Sequence, residues 1–233
     1  MFPFQSSLSV EGNFRVSHSE ILKNIFPLLT PERQKRIEAV VQGRCFSVVA
    51  VMENIYDRGN VSAVMRSTEA LGFGQTHLIE LGEKFKEANR VTAGADKWVE
   101  MTRWKSTKAC VEALKAEGKQ IVATHLDHTS KPISEIDFSK PTALVLGNEK
   151  DGISPEMAAL ADHRVVLPMM GFVQSYNISV AGALSFYHIY QDRLRRQNRH
   201  GDLTSEEQEI LKAVYALRTL DSAADVLRRL AKS

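Results

Sequence analysis

Phe46-Ser47-Val48-Val49-Ala50-Val51 is an almost unbroken apolar run of strand length, and Pro141-Thr142-Ala143-Leu144-Val145-Leu146-Gly147 is a second. A strand with one wet face alternates apolar and polar residues. A run without alternation suits a strand covered on both faces, which is the condition of a parallel sheet flanked by helices. After the first run comes the polar, glycine-containing stretch Glu53 to Asn60. Val61 to Leu71 then reads as a helix stopped by Gly72, and Thr76-His77-Leu78-Ile79-Glu80 as a second strand. Strand, helix, strand in that order is a βαβ unit. The alternation continues with a helix from Ser106 to Glu117, closed by Gly118, and a strand from Gln120 to Leu126. The 141–147 strand follows, then a helix from Pro155 to Leu160, a last strand Val165-Val166-Leu167 and a helix from Val180 to Tyr190. The expected fold class is α/β with a mostly parallel sheet.

The two ends read differently. Residues 1–20 show no sustained period and few core candidates, so they are expected to form an arm or irregular lead-in. Ile21, Leu22, Ile25, Phe26 and Leu29 lie at helical spacing. Thr30 is a candidate N-cap for a further helix with Pro31 at its first position and one basic face. After Tyr190 the chain is again basic and helical, with helices expected from Thr204 to Leu217 and from Asp221 to Leu230. This suggests a helical extension over 1–46, a central domain over 47–192 and a second helical extension over 193–233.

Charge supports that division. Residues 1–46 carry 6 Lys/Arg against 4 Asp/Glu, residues 193–233 carry 9 against 6, and the middle carries 15 against 18. Basic ends around a neutral core suit a polyanionic partner, although solvated helices give similar counts. With 43% hydrophobic and 25% charged residues, the 233-residue chain has the balance of a soluble globular protein. No apolar run approaches membrane-spanning length, and the start lacks the basic and apolar regions of a signal peptide. Cys45 and Cys110 form neither a metal-ligand spacing nor a disulfide framework. They read as buried fillers in a reducing, cytoplasmic setting. Seven histidines are scattered without ligand spacing, so no metal is expected.

Three polar loops follow apolar strands: Asn54–Asn60, Gly147–Ser154 and Pro168–Ser179. In open parallel sheets ligands bind at the carboxyl ends of strands, which makes these loops the natural site. The third is the most unusual, because Gln174, Ser175, Asn177 and Ser179 exceed what a strand-to-helix link requires for packing. Such groups must find polar partners, and either Ser175 or Asn177 could cap the helix that follows. A fourth stretch, Val91 to Val99, is a small-residue loop ending in Lys97 and Trp98. Phosphate-loop, dinucleotide, zinc-protease and serine-hydrolase signatures are all absent.

Asn60-Val61-Ser62-Ala63-Val64-Met65-Arg66, Leu146-Gly147-Asn148-Glu149-Lys150-Asp151-Gly152, and Leu167-Pro168-Met169 with Ser175-Tyr176-Asn177-Ile178-Ser179-Val180-Ala181 together resemble the three motifs of the SpoU/TrmH branch of the SPOUT RNA methyltransferases. They stand in family order and spacing over roughly residues 46–192. The flanks look most like the family's bacterial tRNA (guanosine-2′-O)-methyltransferases. The resemblance implies a C-terminal deep trefoil knot, S-adenosylmethionine (SAM) as cofactor, a homodimer, and transfer of methyl to a ribose 2′-hydroxyl of RNA. The implied substrate is the D-loop guanosine at tRNA position 18. Alternatives are a ribosomal RNA 2′-O-methyltransferase and a non-catalytic knotted RNA-binding protein.

By the same resemblance Arg66 activates the 2′-hydroxyl, and since guanidinium does not readily deprotonate, its role is a phosphate clamp and oxyanion stabiliser. Asn60 is expected to orient Arg66 and hold the loop, a helix N-cap being its plain alternative, and Glu149 to fix loop backbone or Asn177. Ser175 and Asn177 would hold the RNA phosphate and the methionine moiety. Thr124, Gly147, Leu167, Met169 and Tyr176, with Asn177, are expected to line the cofactor pocket. Arg33, Lys35, Arg36, Arg44, Lys97, Arg193, Arg195, Arg196 and Arg199 are expected to grip RNA, a solvated surface being the plain alternative. Two departures from the family pattern are Tyr176, where leucine is usual, and Asp96, where histidine is common.

Overall fold

The computed structural model describes residues 4–81, 94 and 97–231. Val91 to Ala93, Ala95 and Asp96, which belong to the fourth loop, lie outside the described residues. The chain divides into two compact units, one built from Cys45–His200 and the other from Met1–Arg44 together with Gly201–Ser233.

The central unit contains seven parallel strands. They are β3 (Val48–Glu53), β4 (Gln75–Ile79), β5 (Glu100–Trp104), β6 (Gln120–Thr124), β7 (Lys131–Pro132), β8 (Thr142–Leu146) and β9 (His163–Val166), in the spatial order β5-β4-β3-β8-β6-β9-β7. The apolar runs behave as their pattern implies. Every residue of β3, β4 and β8 is buried. Because successive side chains point to opposite faces, one run feeds two cores. Val48, Ala50, Met52, Val122, Leu144 and Leu146 join one cluster, which includes Val64 and Met65 of α3 (Arg58–Ala70) and Phe186 and Ile189 of α6 (Ile178–Gln197). Val49, Val51, Ile121, Ala123, Ala143 and Val145 join the other, with Cys110 and Leu114 of α4 (Thr107–Ala116) and Met157 of α5 (Pro155–Leu160). Each Val, Leu, Ile, Phe or Met among them contributes about 1.5–3 kcal/mol of burial free energy. Both cysteines are fully buried.

Several element limits differ from the sequence reading. Helix α3 begins two residues before Asn60 and is capped by Asp57, whose carboxylate accepts from Gly59 N at 2.7 Å. Helix α6 continues past Tyr190 to Gln197 and ends on Asn198 in the left-handed conformation, with Arg195 and Arg196 placed where the helix dipole favours cations. Strand β5 has half-exposed residues and β7 only two, so neither carries an apolar signature.

The terminal unit holds β1 (Ser7–Glu11), β2 (Phe14–Ser17), α1 (His18–Asn24), α2 (Pro31–Gln42), α7 (Ser205–Thr219) and α8 (Ala223–Leu230). The expected irregular lead-in is instead an antiparallel hairpin turning at Gly12, whose φ is +57°. These strands are short and largely exposed, which is why no period betrays them. Helix α1 starts on a Ser17–Glu20 capping box and α2 on Thr30, whose hydroxyl accepts from Arg33 N. Helices α1 and α2 both pack on α7, so the two ends of the chain form one unit.

Candidate active site

Three polar loops meet where β6, β8 and β9 end. Glu149, from the loop after β8, receives the Asn60 Nδ2 donor on its Oε1 at 2.8 Å and the Tyr56 backbone N–H on its Oε2 at 3.3 Å. The other end of the Asn60 amide accepts from Asn177 Nδ2 at 3.3 Å. Asn177 in turn caps α6, its Oδ1 accepting from Ser179 N at 2.8 Å. One chain of amide and carboxylate groups therefore joins residues 60, 149 and 177. Burial raises the Glu149 pKa, but hydrogen bonds from Asn60 and the backbone outweigh it, and the carboxyl is held below its ordinary range.

Beside this chain lies a cleft of about 400 Å³. Its wall includes Thr124, Gly147, Leu167, Met169, Tyr176 and Asn177, all six residues expected to line a cofactor pocket, and also Glu149 and Ser175. Apolar groups of Leu146, Val165, Ile178 and Ala181 complete it, with His125, Asn148 and Gln174. His125 and Leu126 were not expected there. Their only signal was position, directly after Thr124 at a strand end. The mixture of flat apolar wall, backbone edges and a few amides suits a nucleoside with a polar tail.

Local chemistry explains the shape. Asn148 Oδ1 accepts from the backbone N–H of Lys150 and Asp151 and turns the loop back on itself. Gly152 adopts φ +72° to complete the turn. A Cβ on Gly147 would lie 2.1 Å from the Gly152 carbonyl carbon and 2.2 Å from Ile153 N, so only glycine permits this approach. The loop ends on Ser154, which caps α5 and is itself anchored. Buried Glu53 accepts from Ser154 N at 2.8 Å, from its hydroxyl at 2.7 Å and from the Thr107 hydroxyl at 2.6 Å. The Tyr176 hydroxyl donates to Pro168 O at 3.1 Å and closes the third loop, while Thr124 donates to Val145 O at 3.0 Å and ties β6 to β8.

Arg66 stands apart. Six residues on from Asn60, it lies about 120° around the helix. It lines a second groove with Ala63, Ser67, Glu69, Ala70, Gly94 and Trp98. The expectation that Asn60 orients Arg66 is corrected, because the Asn60 amide is engaged at both ends by Glu149 and Asn177. Two of the expected RNA contacts are also corrected. Arg193 is 1% exposed, its guanidinium donating to Phe138 O and His200 O, and Arg44 is 1% exposed against the Tyr215 ring. Both are desolvated and face no solvent. Arg33, Lys35, Arg36, Lys97, Arg195, Arg196 and Arg199 are exposed. Arg195 and Arg196 pair with buried Asp192. Among the described residues, no three His, Cys, Asp or Glu side chains group as metal ligands. No helix of the described residues is long and apolar enough to cross a membrane.

A model of the SpoU rRNA Methylase family matches residues 47–187, a span that holds all three loops. The chain belongs to that family. The resemblance read from the loop motifs is thereby borne out, as is the α/β fold with its parallel sheet. A tRNA (guanosine(18)-2′-O)-methyltransferase of Escherichia coli K12 is 33% identical over 205 residues, 88% of this chain and 87% of that protein. The protein of the same name from Borreliella burgdorferi is 35% identical, over 84% of this chain and 91% of its own length. Among solved structures, the TrmH/SpoU tRNA modifying enzyme of Aquifex aeolicus superposes with a TM-score of 0.70 at 33% identity, covering 79% of this chain and 95% of that one. An rRNA methyltransferase from Sinorhizobium meliloti solved with AdoMet bound gives 0.57 at 26% identity, over 66% of this chain and 59% of that one.

Proposed function

We propose that this SpoU-family chain transfers a methyl group from SAM to the 2′-hydroxyl of the D-loop guanosine at position 18 of tRNA. The carrying observation is the hydrogen-bonded chain Asn177–Asn60–Glu149, which gathers all three family loops at the mouth of one cleft. Relatives bearing the tRNA (guanosine(18)-2′-O)-methyltransferase name match over most of their length and of this chain's.

The cofactor fits the residues present. Gly147 lines the cleft beside Leu146 and Asn148, whose backbone edges can meet an adenine, and Leu167, Met169 and Tyr176 provide apolar contact. Asn177 and Ser175 stand at the mouth, where a charged amino acid tail would be hydrogen-bonded. When bound, SAM supplies an electrophilic methyl on a sulfonium. The protein's own work is alignment. The 2′-oxygen must be held in line and lose its proton as the new O–C bond forms. Arg66 lines a groove apart from the cleft, so its part is to clamp a phosphate next to the ribose, with water or phosphate accepting the proton. Ser175, exposed at the mouth, suits a phosphate contact. Exposed Arg33, Lys35, Arg36, Lys97, Arg195, Arg196 and Arg199 supply charge for the RNA backbone, so binding weakens as salt rises.

Assembly as a homodimer belongs to the same proposal. Helix α6 leaves Val180, Leu184 and Tyr187 exposed along one face, and the third loop exposes Met170, Phe172 and Val173. An apolar surface of that extent on a soluble chain suits a second copy. The knot is likewise proposed, supported by the placement of β9 between β6 and β7 and the packing of α6 on α3. A cytoplasmic setting is supported by two buried cysteines that are not joined in a disulfide.

The test is transfer of labelled methyl to an unmodified tRNA transcript, with the product mapped to one nucleotide. Label on the 2′-oxygen of guanosine 18, lost in Arg66→Ala, supports the reading. Label on ribosomal RNA alone would overturn the substrate, and no transfer with SAM still bound would overturn the enzyme.

A further inference from the structure

The polar side chains of the cleft fall into two groups. Thr124, Asn148, Glu149, Tyr176 and Asn177 use their hydrogen-bonding atoms within the protein, on Val145 O, the Lys150 and Asp151 backbone, Asn60, Pro168 O and the start of α6. His125 lies 3.5 Å from the Asp127 carboxylate. Lys150, Gln174 and Ser175 line the same cleft and are exposed, and among the described residues nothing bonds to or pairs with their side chains.

The backbone beneath these three is nonetheless held. Lys150 N donates to Asn148 Oδ1 at 2.9 Å, inside the loop closed by the paired Asn148–Gly152 backbone bonds. Gln174 and Ser175 lie between Pro168 and Tyr176, whose hydroxyl donates to Pro168 O at 3.1 Å. An ammonium, an amide and a hydroxyl therefore enter one cleft from two fixed loops with their polar ends uncommitted.

That set has the composition of an anion site. Lys150 is the only Lys or Arg among the described residues that line the cleft. Its neighbour Glu149 already accepts from Asn60 and from Tyr56 N, and Asp151 lies outside the lining. Two anions could come to such a cleft, the carboxylate of SAM and a phosphate of RNA, and charge separates them. SAM carries a sulfonium and an ammonium against a single carboxylate, so the cofactor as a whole is cationic and gains little from a lysine beside it. A phosphodiester brings no cation of its own, and Lys, Gln and Ser are all side chains that meet phosphate oxygens.

We propose that Lys150, with Gln174 and Ser175, binds a phosphate that flanks the ribose being methylated. The inference rests on the reading of this chain as an RNA 2′-O-methyltransferase, and it adds Lys150 and Gln174 to the residues that touch substrate. A ribose has a phosphate on either side, which leaves the other for Arg66 in its separate groove.

In otherwise unaltered protein, Lys150→Gln lowers kcat/KM for tRNA by roughly 5- to 50-fold, the range for a charged hydrogen bond discounted for exposure. Lys150→Arg, which keeps the charge, stays within about threefold of the parent. The slope of log tRNA affinity against log salt becomes shallower by about 0.7–0.9 in Lys150→Gln, which is one phosphate contact. Gln174→Ala weakens tRNA binding and leaves that slope unchanged, because the amide is neutral. SAM affinity, read by calorimetry, is parental in all three variants. An uncharged methylphosphonate in place of the phosphate on one side of guanosine 18 brings the parent down to the level of Lys150→Gln and leaves that variant where it was. The proposal is overturned by a parental salt slope in Lys150→Gln, or by a Lys150→Gln defect that persists with a methylphosphonate on either side. It is also overturned if SAM affinity falls in place of RNA affinity, which would assign the anion to the cofactor's carboxylate. If the unaltered protein transfers no methyl to any RNA, the functional reading fails, and the salt slopes of RNA binding still decide the site.

Discussion

Replacing Gly147 by alanine tests the cleft at its tightest point. An added Cβ would stand 2.1 Å from the Gly152 carbonyl carbon and 2.5 Å from its oxygen, against ordinary contacts that begin at 3.4 Å. The obstacle is backbone, so no side chain can turn aside, and the 147–153 loop must move by roughly 1.3 Å. That movement strains or breaks the paired Asn148–Gly152 backbone hydrogen bonds of 2.9 and 3.1 Å. Overpacking costs about 1–3 kcal/mol, and each of the two bonds about 0.5–1.5 kcal/mol. A total of about 2–6 kcal/mol corresponds to a fall of about 4–24 °C in the unfolding midpoint. SAM affinity falls as well, because the displaced loop is one wall of the cleft. The matched control is Gly171→Ala, where nothing lies within 4 Å of the new atom. Thermal unfolding by circular dichroism and SAM titration by calorimetry read both variants. A Gly147→Ala protein within about 2 °C of the parent and with parental SAM affinity would refute the packing argument.

Glu53→Gln puts an amide among three donors and costs about 2–4 kcal/mol of stability by chemical denaturation, whereas an unchanged midpoint would show the Ser154 anchor to be dispensable. Lowering the pH protonates Glu149. Its folded pKa is depressed, so its bonds contribute fully above the ordinary carboxylate range and are lost as pH falls through the lowered value, and transfer activity should hold through mild acid and then drop. In Asn60→Ala that drop moves to higher pH, and an unmoved profile would contradict the assignment. His77, buried and accepting from Trp104, has its pKa lowered to about 4, chiefly by desolvation. Its neutral form should persist in NMR spectra down to about pH 5, and it contributes stability that is lost as pH falls from about 6.5 towards 4. The Cys110 thiol is pushed up to about 12 by burial, with Glu53 adding to it, so a thiol reagent at pH 8 should leave it unmodified until denaturant is added.

Much of this molecule was written in local pattern. Apolar runs without alternation announced strands β3 and β8, and with them a parallel sheet whose polar loops gather at one edge. Asn177 stood out because the amides and hydroxyls of the third loop exceed what packing needs, whereas Asn60 and Glu149 were reached through the resemblance of their loops to the family motifs. Thr30 as an N-cap was equally legible, since it follows from the chemistry of one residue and its neighbours. What a linear reading lacked was direction and distance. Arg66 and Asn60 share a motif, yet Asn60 is bonded to Glu149 and Asn177 while Arg66 lines a separate groove. Arg44 and Arg193 have the same composition as their exposed neighbours, and only packing decides that they are buried. The hairpin at residues 7–17 bears no periodic mark, because short exposed strands bury too little to need one. Secondary structure and motif chemistry depend on residues a few positions apart, so the chain order specifies them. Which side chains meet, and which are removed from water, depends on contacts between residues far apart in the chain, 117 positions for Asn60 and Asn177, and those exist only once the sheet has assembled.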